Sequence, residues 1–332
     1  MRTRWKPLPE RCPTCTDDAR MDVIHYPDDT SPAQWKGSIV ALGNFDGVHR
    51  GHSTILERVR ARATELGTRA GILTFDPHPP RIVRPDKAPP LLMTQEQKLA
   101  AVAATGLDGA AVVRFTPEVS RWTPEEFVNN VLVDWLHVRE VWVGSNFLFG
   151  HDRSGNFSQL RTLGGRYGFM VEKIDPVRYK EFVVSSTRIR RLVIDGNVDE
   201  AGALLGHHYT LEGEVVTGAR RGQAQGFPTA NLRTANELVP PNGVYATTVT
   251  IDGDIYPSVT NIGVRPTFES AGARTIETHL FDYEGDLYGV RIGLSFVQRL
   301  RDEEAFPDVE ALKRQIASDC EAAKTLFSRI SL

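Results

Sequence analysis

Cysteine is scarce in this chain, with three in 332 residues: Cys12, Cys15 and Cys320. Three thiols cannot frame a small disulfide-stapled fold. They fit a reducing compartment, so a cytoplasmic location is expected. Cys12 and Cys15 have the spacing of half a zinc site, but no second close Cys/His pair follows, and a metal-free tail is the expectation. Long apolar runs are missing as well. None approaches the ~18 residues that a membrane-crossing helix needs. Residues 1–18 carry Arg and Pro without an apolar stretch, which argues against a secretory signal. Met21 is a second candidate start. Positive charge is not in excess: the net charge is −3. No nucleic-acid or membrane partner is therefore expected, and a polyanionic small substrate has to be met by local cations or helix ends. There is no internal repeat and no low-complexity tract.

What remains is ordinary globular sequence, 41% hydrophobic and 24% charged. At this length two domains are expected, preceded by an N-terminal extension over 1–36 that is partly disordered. Residues 37–206 alternate strands with helices. Ser38 to Leu42 reads as a buried strand. A Gly-rich turn follows, then a helix with Ile55, Leu56, Val59, Ala63 and Leu66 on one face. Further strands are predicted at Ala70–Phe75, Ala110–Phe115, Glu140–Gly144 and Phe169–Ile174. Thr94-Gln95-Glu96-Gln97 and Thr123-Pro124-Glu125-Glu126 read as capped helix starts. This rhythm predicts an α/β domain, a Rossmann-like parallel sheet with helices on both faces, whose ligands sit beyond the carboxyl ends of the strands.

The rhythm changes near Gly206. Residues 207–332 show short strands at Gly243–Ile251, Ile255–Asn261, Arg274–Phe281 and Arg291–Val297. A final amphipathic helix spans Asp308–Phe327, with Val309, Leu312, Ile316, Cys320 and Ala323 on one face. A small antiparallel barrel closed by a C-terminal helix is expected.

Two segments carry chemistry. Gly43-Asn44-Phe45-Asp46-Gly47-Val48-His49-Arg50-Gly51-His52 lies where the first strand turns into the first helix. Unpaired N–H groups and the positive dipole end at such a point bind phosphate. His49 and His52 are three apart, on one face of the first turn. They can donate hydrogen bonds to charge building up at an α-phosphate, and Gly51 lets a nucleotide approach the backbone. The plainer alternative is a helix start that contains two histidines. Ser185-Ser186-Thr187-Arg188 opens another helix and suits a triphosphate, or is a simple hydroxyl cap before a solvated basic face. Thr74-Phe75-Asp76-Pro77-His78-Pro79 either lines the same crevice or is a Pro-rich turn.

In the second domain there is no Gly-Lys-Ser/Thr, so Gly226-Phe227-Pro228-Thr229-Ala230-Asn231 is not a P-loop. Thr229 and Asn231 point the same way on an extended segment and offer oxygens to Mg²⁺ and ATP phosphates; a β-turn with a satisfied Asn is the alternative. Glu277 shares a strand face with Thr275 and His279, opposite Ile276, Thr278 and Leu280. It is the candidate base for a hydroxyl attacking phosphorus, or else a surface-strand glutamate.

Taken together, these segments resemble the bifunctional riboflavin kinase/FMN adenylyltransferases of bacteria, over nearly the whole chain from Ser38. Val143-Gly144-Ser145-Asn146-Phe147-Leu148-Phe149-Gly150, Asn261-Ile262-Gly263-Val264-Arg265-Pro266-Thr267-Phe268, Glu277-Thr278-His279-Leu280 and Asp286-Leu287-Tyr288-Gly289 add to the match. The resemblance implies riboflavin, FMN and ATP as substrates, Mg²⁺ as cofactor, and a monomer or weak homo-oligomer. It implies that Gly43, Asn44, Phe45, Asp46, His49, Gly51, His52, Asn146, Ser186, Thr187 and Arg188 bind ATP for adenylyl transfer. Gly226, Pro228, Thr229 and Asn231 would hold Mg²⁺-ATP for the kinase step, with Thr229 and Asn231 on the metal and Glu277 as base. Two positions depart from the family pattern. Gln223-Ala224-Gln225 replaces the usual Gly-Arg-x-Leu/Ile, which leaves Arg220 or Arg221 to supply a cation there. Ser145 stands where an acidic residue is common. An adenylyltransferase with a weakened kinase half, a flavin-binding regulatory paralogue without turnover, and a different nucleotidyltransferase are the competing readings.

Overall fold

A computed structural model describes residues 21–217, 227–264 and 274–330. They form two compact units. One holds residues 21–90 and 95–185, the other 91–94 and 186–330. Cys12, Cys15, Arg220, Arg221, Gln223-Ala224-Gln225, Gly226 and Arg265 to Phe268 lie outside the described residues.

The first unit contains β1 (Asp22–Tyr26), β2 (Ile39–Leu42), α1 (Arg50–Leu66), β3 (Ala70–Asp76), α2 (Pro79–Val83), α3 (Gln95–Ala103), β4 (Gly109–Arg114), α4 (Pro124–Phe127) and β5 (Glu140–Gly144). A two-strand ribbon, β6 (Leu148–Phe149) with β7 (Gly155–Asn156), precedes α5 (Phe157–Tyr167) and β8 (Met170–Ile174). A second ribbon, β9 (Arg178–Tyr179) with β10 (Phe182–Val183), ends the unit. The six long strands are all parallel and lie in the order β1-β4-β3-β2-β5-β8. All four side chains of the central β2 are buried. Val40 and Leu42 join a cluster with Val128, Val131, Leu132, Leu136, Leu160 and Leu163. Ile39 and Ala41 alternate to the opposite face, and α1 packs against β2, β3 and β5 with Leu56, Val59 and Ala63 buried. A strand covered on both sides reads as a continuous apolar run, which is how Ser38 to Leu42 reads.

Two local features differ from expectation. Residues 22–26, placed in the N-terminal extension by sequence, supply the edge strand β1, paired in register from Asp22 opposite Gly109. The turn after β1 brings in Trp35, which is fully buried and donates from Nε1 to Asp22 Oδ2 at 3.3 Å. Its indole fills the space over Gly71 and Gly109, where a Cβ would collide with the ring. That is why two strand interiors carry glycine. Thr123 and Glu126 form the expected capping box, with bonds of 3.2 and 2.7 Å. The helix it opens continues, however, as a π-helical turn over Val128–Val133.

The second unit starts with α6 (Ser186–Ile194) and α7 (Val198–Leu205). Then come β11 (Tyr209–Val216), β12 (Ala230–Thr234), β13 (Gly243–Ile251), β14 (Asp254–Val264), β15 (Arg274–Leu280), β16 (Arg291–Arg301) and α8 (Val309–Phe327). The strands close into an antiparallel barrel in the order β11-β12-β15-β14-β13-β16. Closure leaves no free edge. Tyr209, Leu211, Tyr245, Val249, Ile262, Ile292, Leu294 and Phe296 are buried, and so is a hydroxyl ladder: Thr247 to Ser258 at 2.8 Å, Thr247 to Thr260 at 2.7 Å and Thr260 to Thr278 at 2.9 Å. Asp308 caps α8 by accepting from Ala311 N at 2.7 Å. Cys320 and Ala323 of α8 pack against Val244, Ala246, Val259 and Phe281. Val309, expected on that face, is 53% exposed because it lies in the first turn, before the helix meets the barrel.

Candidate active sites

In the sheet unit, strands added after β2 run outward first through β3 and β4. The chain then returns to the other side of β2 to lay down β5 and β8. The switch in direction falls between β2 and β5, which opens a crevice at their carboxyl ends. The loop after β2 leads to α1, and the turn after β5 carries Ser145, Asn146 and Phe147, with Phe147 N donating to Gly144 O at 3.1 Å. Topology therefore brings His49, His52 and Asn146 to one end of the sheet. Asn146 is exposed there. Beside it, Ser145, Asn146, Phe147, Leu148, Asn156, Phe157 and Ser158 line a cavity of about 410 Å³.

The loop from Gly43 to Val48 is strained. Phe45 and Val48 adopt φ of 52° and 34°, and Gly47 has φ of 90°. Positive φ at a β-branched residue such as Val48 is unusual, and it persists only where the surroundings enforce it. Here Phe45 and Val48 are buried, and Val48 N donates to Phe45 O at 3.3 Å. Behind the loop, Thr74 Oγ1 donates to Asn44 O at 3.2 Å.

His49 is the N-cap of α1, one residue before the helix. Its Nδ1 accepts from His52 N at 3.3 Å, so the neutral ring carries its proton on Nε2 and keeps that N–H as a donor. The two imidazoles stack, with centroids 3.6 Å apart and planes 12° from parallel. Phe45 flanks His52 at 5.2 Å. Gly51 serves this stack: a Cβ there would lie 3.2 Å from both Cε1 and Nδ1 of His49. Burial, then neighbouring His49, then the Lys98 ammonium hold the His52 imidazole well below its ordinary range, in the neutral form. His52 Nδ1 is buried with no hydrogen-bond partner among the described residues. Asp46 is buried, and its carboxylate acts electrostatically on Lys98. Arg50 lies over the ring of Tyr179 at 4.9 Å. The arrangement sets two stacked imidazoles, the His52 ring neutral, at a helix N-terminus, where ring N–H groups can donate to a phosphorus centre gaining negative charge. Ser186, Thr187 and Arg188 form the first turn of α6, which groups with the barrel.

In the barrel unit, strand register assembles the second site. Asn231 of β12 lies opposite Glu277 of β15, and Glu277 lies opposite Asn261 of β14. Direct antiparallel partners share a face, with Cβ atoms about 5 Å apart. Ala230, Thr278 and Ile262 alternate to the buried interior, so the Asn231–Glu277–Asn261 row is on the half-exposed outer face. His279, two residues along the same face, donates from Nδ1 to Pro228 O at 2.9 Å and meets the Phe227 ring edge-on at 5.6 Å. This tether holds Pro228 against β15, and Thr229 is the next residue, directly ahead of β12. Hydroxyl, amide and carboxylate oxygens are the donors a hard divalent cation takes, and Mg²⁺ needs only one or two of them besides phosphate and water. The residues present fit that ion. Among the described residues there is no cluster of three or more His, Cys, Asp or Glu able to hold a metal.

Sequence reasoning set His279 on the face of Glu277 and quoted Asn261 in a matching motif but gave neither a role, because neither cross-strand register nor the tether to Pro228 has a local signal. It also missed Lys98 beneath the first site, since a lysine on an amphipathic helix reads as surface.

Comparison with known proteins agrees with both halves. A family model described as FAD synthetase matches residues 31–188, and one described as riboflavin kinase matches residues 205–327. A bifunctional riboflavin kinase/FMN adenylyltransferase of Pseudomonas fluorescens is 40% identical, over 88% of this chain and 93% of the relative. The chain belongs to the bifunctional riboflavin kinase/FMN adenylyltransferase family. Members from Escherichia coli K12 and Listeria monocytogenes are 36% and 34% identical, each covering 92% of this chain and 98% of the relative. A crystal structure titled as a macrolide-efflux protein from Streptococcus pneumoniae superposes with a TM-score of 0.82 at 27% identity, covering 91% of this chain and 98% of that one. Among the described residues, no helix is long and apolar enough to cross a membrane.

Proposed function

We propose that this chain makes the flavin coenzymes in two steps: riboflavin and ATP give FMN and ADP, then FMN and a second ATP give FAD and pyrophosphate. The observation that carries the reading is the presence of both residue sets on one chain. The stacked His49–His52 pair stands at the switch point of the sheet, and the Asn231–Glu277–Asn261 row stands on the barrel.

In the kinase step, assigned to residues 207–332, Glu277 takes the proton of the terminal ribityl hydroxyl as that oxygen attacks the γ-phosphorus and ADP leaves. Thr229 and Asn231 would hold Mg²⁺, which neutralises charge on the phosphate oxygens when bound; Gly226 and Pro228 belong to the same ATP segment. His279 keeps that segment against β15. In the adenylyl step, assigned to residues 37–206, an FMN phosphate oxygen attacks the α-phosphorus of ATP and pyrophosphate leaves. The N–H groups of His49 and His52 donate to the oxygens that gain charge, with no covalent enzyme intermediate. By the family's motif, Asn146, Ser186, Thr187 and Arg188 also serve this ATP. The aromatic-walled cavity at Asn146 offers a flat apolar surface to a flavin ring. Three cysteines support a cytoplasmic site of action.

Chromatography of the products from riboflavin, Mg²⁺ and ATP tests the reading. FMN followed by FAD is expected. FAD from supplied FMN but none from riboflavin would reduce the assignment to the adenylyl step alone. Folded protein that leaves both precursors and the nucleotide unchanged would remove it altogether.

A further inference from the structure

Lys98 is the buried cation of the sheet unit that neither step above uses. It lies on α3, is 8% exposed, and sits beneath the loop that leads to His49. Its Nζ is 3.3 Å from Thr74 Oγ1 and 3.5 Å from Asn44 O, and the Thr74 hydroxyl itself donates to the same carbonyl at 3.2 Å. Three polar atoms from β3, α3 and the loop therefore meet at the point where the chain enters its strained stretch. From that point Phe45, Gly47 and Val48 all run at positive φ, and the next residue is His49. The charged and titratable groups that face Lys98 are Asp46 in the loop, Asp76 at the end of β3 and His52 on α1, with His49 stacked on His52.

We propose that Lys98 is a positioning residue for adenylyl transfer: its buried ammonium clamps the Asn44 carbonyl and the Thr74 hydroxyl, and so fixes the strained loop that delivers His49 and His52. The inference rests on the adenylyltransferase reading of this unit. A charged donor suits the task, because a charge-assisted bond to a carbonyl is roughly twice as strong as a neutral one. The same charge stands beside His52 and favours its neutral ring. Burial lowers the Lys98 ammonium to about 8, against the pull of Asp76 and Asp46, so the clamp loosens as pH rises through that value.

The test compares wild type with Lys98→Met and Lys98→Arg in FMN-to-FAD conversion across pH. The denaturant midpoint of the sheet unit reports on the fold around Lys98, and riboflavin phosphorylation by the same preparations reports on the barrel unit. Lys98→Met is expected to lower kcat/KM for FMN adenylylation about ten- to a hundredfold, mostly in kcat, as loss of a charged hydrogen bond implies. Kinase turnover should stay at the wild-type level, and the acid limb of the adenylyl profile should move to higher pH as His52 loses its cationic neighbour. Lys98→Arg keeps the charge and should keep the acid limb in place, while losing the alkaline limb expected of wild type near pH 8. Wild-type adenylylation and an unmoved profile in Lys98→Met would overturn the proposal. So would an equal loss of both reactions, which marks a general structural role. Should Lys98→Met not fold, a wild-type profile flat on its alkaline side would overturn it instead. Absence of FAD formation by wild type refutes the functional reading itself and is distinguishable from all of these.

Discussion

Gly51→Ala separates what the first turn of α1 needs for stability from what it needs for chemistry. The backbone at Gly51 is helical, so alanine relieves the entropy cost of glycine and gains up to about 0.8–1 kcal/mol, less this close to the helix end. Against this, the new Cβ would lie 3.2 Å from Cε1 and Nδ1 of His49, closer than side chains normally pack. The imidazole has to give way by a few tenths of an ångström. Its 3.3 Å N-cap bond to His52 N stretches, at a cost of about 1 kcal/mol if lost, and the 3.6 Å stack with His52 opens. The two terms nearly cancel. Thermal unfolding of the variant should fall within about 2–4 °C of wild type for a protein of this size. Adenylyl transfer has no such compensation. Removing one donor to a developing oxyanion costs about a hundred- to a thousandfold, so a displaced donor should cost at least about tenfold in kcat. FMN-to-FAD conversion under saturating ATP is the assay, with riboflavin phosphorylation as the internal standard. A variant that unfolds with wild type and also turns over FMN at the wild-type rate would refute the claim that the His49 ring position matters.

The other expectations are as direct. Glu277→Gln keeps shape and register between Asn231 and Asn261 but removes the base, so FMN formation should drop about a hundred- to ten-thousandfold while FMN-to-FAD conversion persists; the His49→Ala/His52→Ala double variant should do the reverse, and product chromatography distinguishes them. Asp319 of α8 is 7% exposed and accepts from Arg301 Nε and Nη2 at 3.0 and 2.9 Å and from Gln315 at 3.0 Å. Asp319→Ala strands that guanidinium and should destabilise the barrel unit by about 3 kcal/mol, read as a lower denaturant midpoint with the sheet unit unaffected. His52 has its pKa depressed in the folded state, so its contribution to stability is present above the ordinary imidazole value of 6.5 and is lost as pH falls below it. Stability of the sheet unit should therefore decline as pH falls below about 6.5, and His52→Asn should flatten that slope in denaturant titrations.

How much of this was legible in the sequence depends on the range of the signal. Ser38 to Leu42 and the 291–301 strand announce themselves because burial fixes a local pattern, continuous in the first and alternating in the second. The same alternation placed Glu277 on the outer face correctly. What failed to show were features made by two distant segments. β1 is five residues long and exposes Val23 and His25, so nothing marks it as a strand until it pairs with β4. Asn261 joins Glu277 only through register, and His279 becomes a tether only when Pro228 O is opposite it. The pair His49–His52 was found by spacing, but its roles differ in kind: His49 caps the helix from outside, and only the stack reveals why Gly51 lies between them.

The strained loop and the buried lysine belong to one argument. Left-handed φ at Phe45 and Val48 costs about 1–3 kcal/mol each, and taking the Lys98 ammonium out of water adds a desolvation cost. Neither would persist for stability alone, since a relaxed turn and a methionine would serve the fold better. Their joint effect is to bring the chain from the last buried residue of β2 to the first helical turn of α1 in seven residues, 43–49, with both imidazoles stacked, one of them desolvated and neutral. A relaxed loop would leave His49 free to turn toward solvent and out of the stack with His52. The expense is therefore met where it sets the protonation and direction of two N–H donors, and the cooperative packing of β2, β3 and α1 around it supplies the stability that the loop itself lacks.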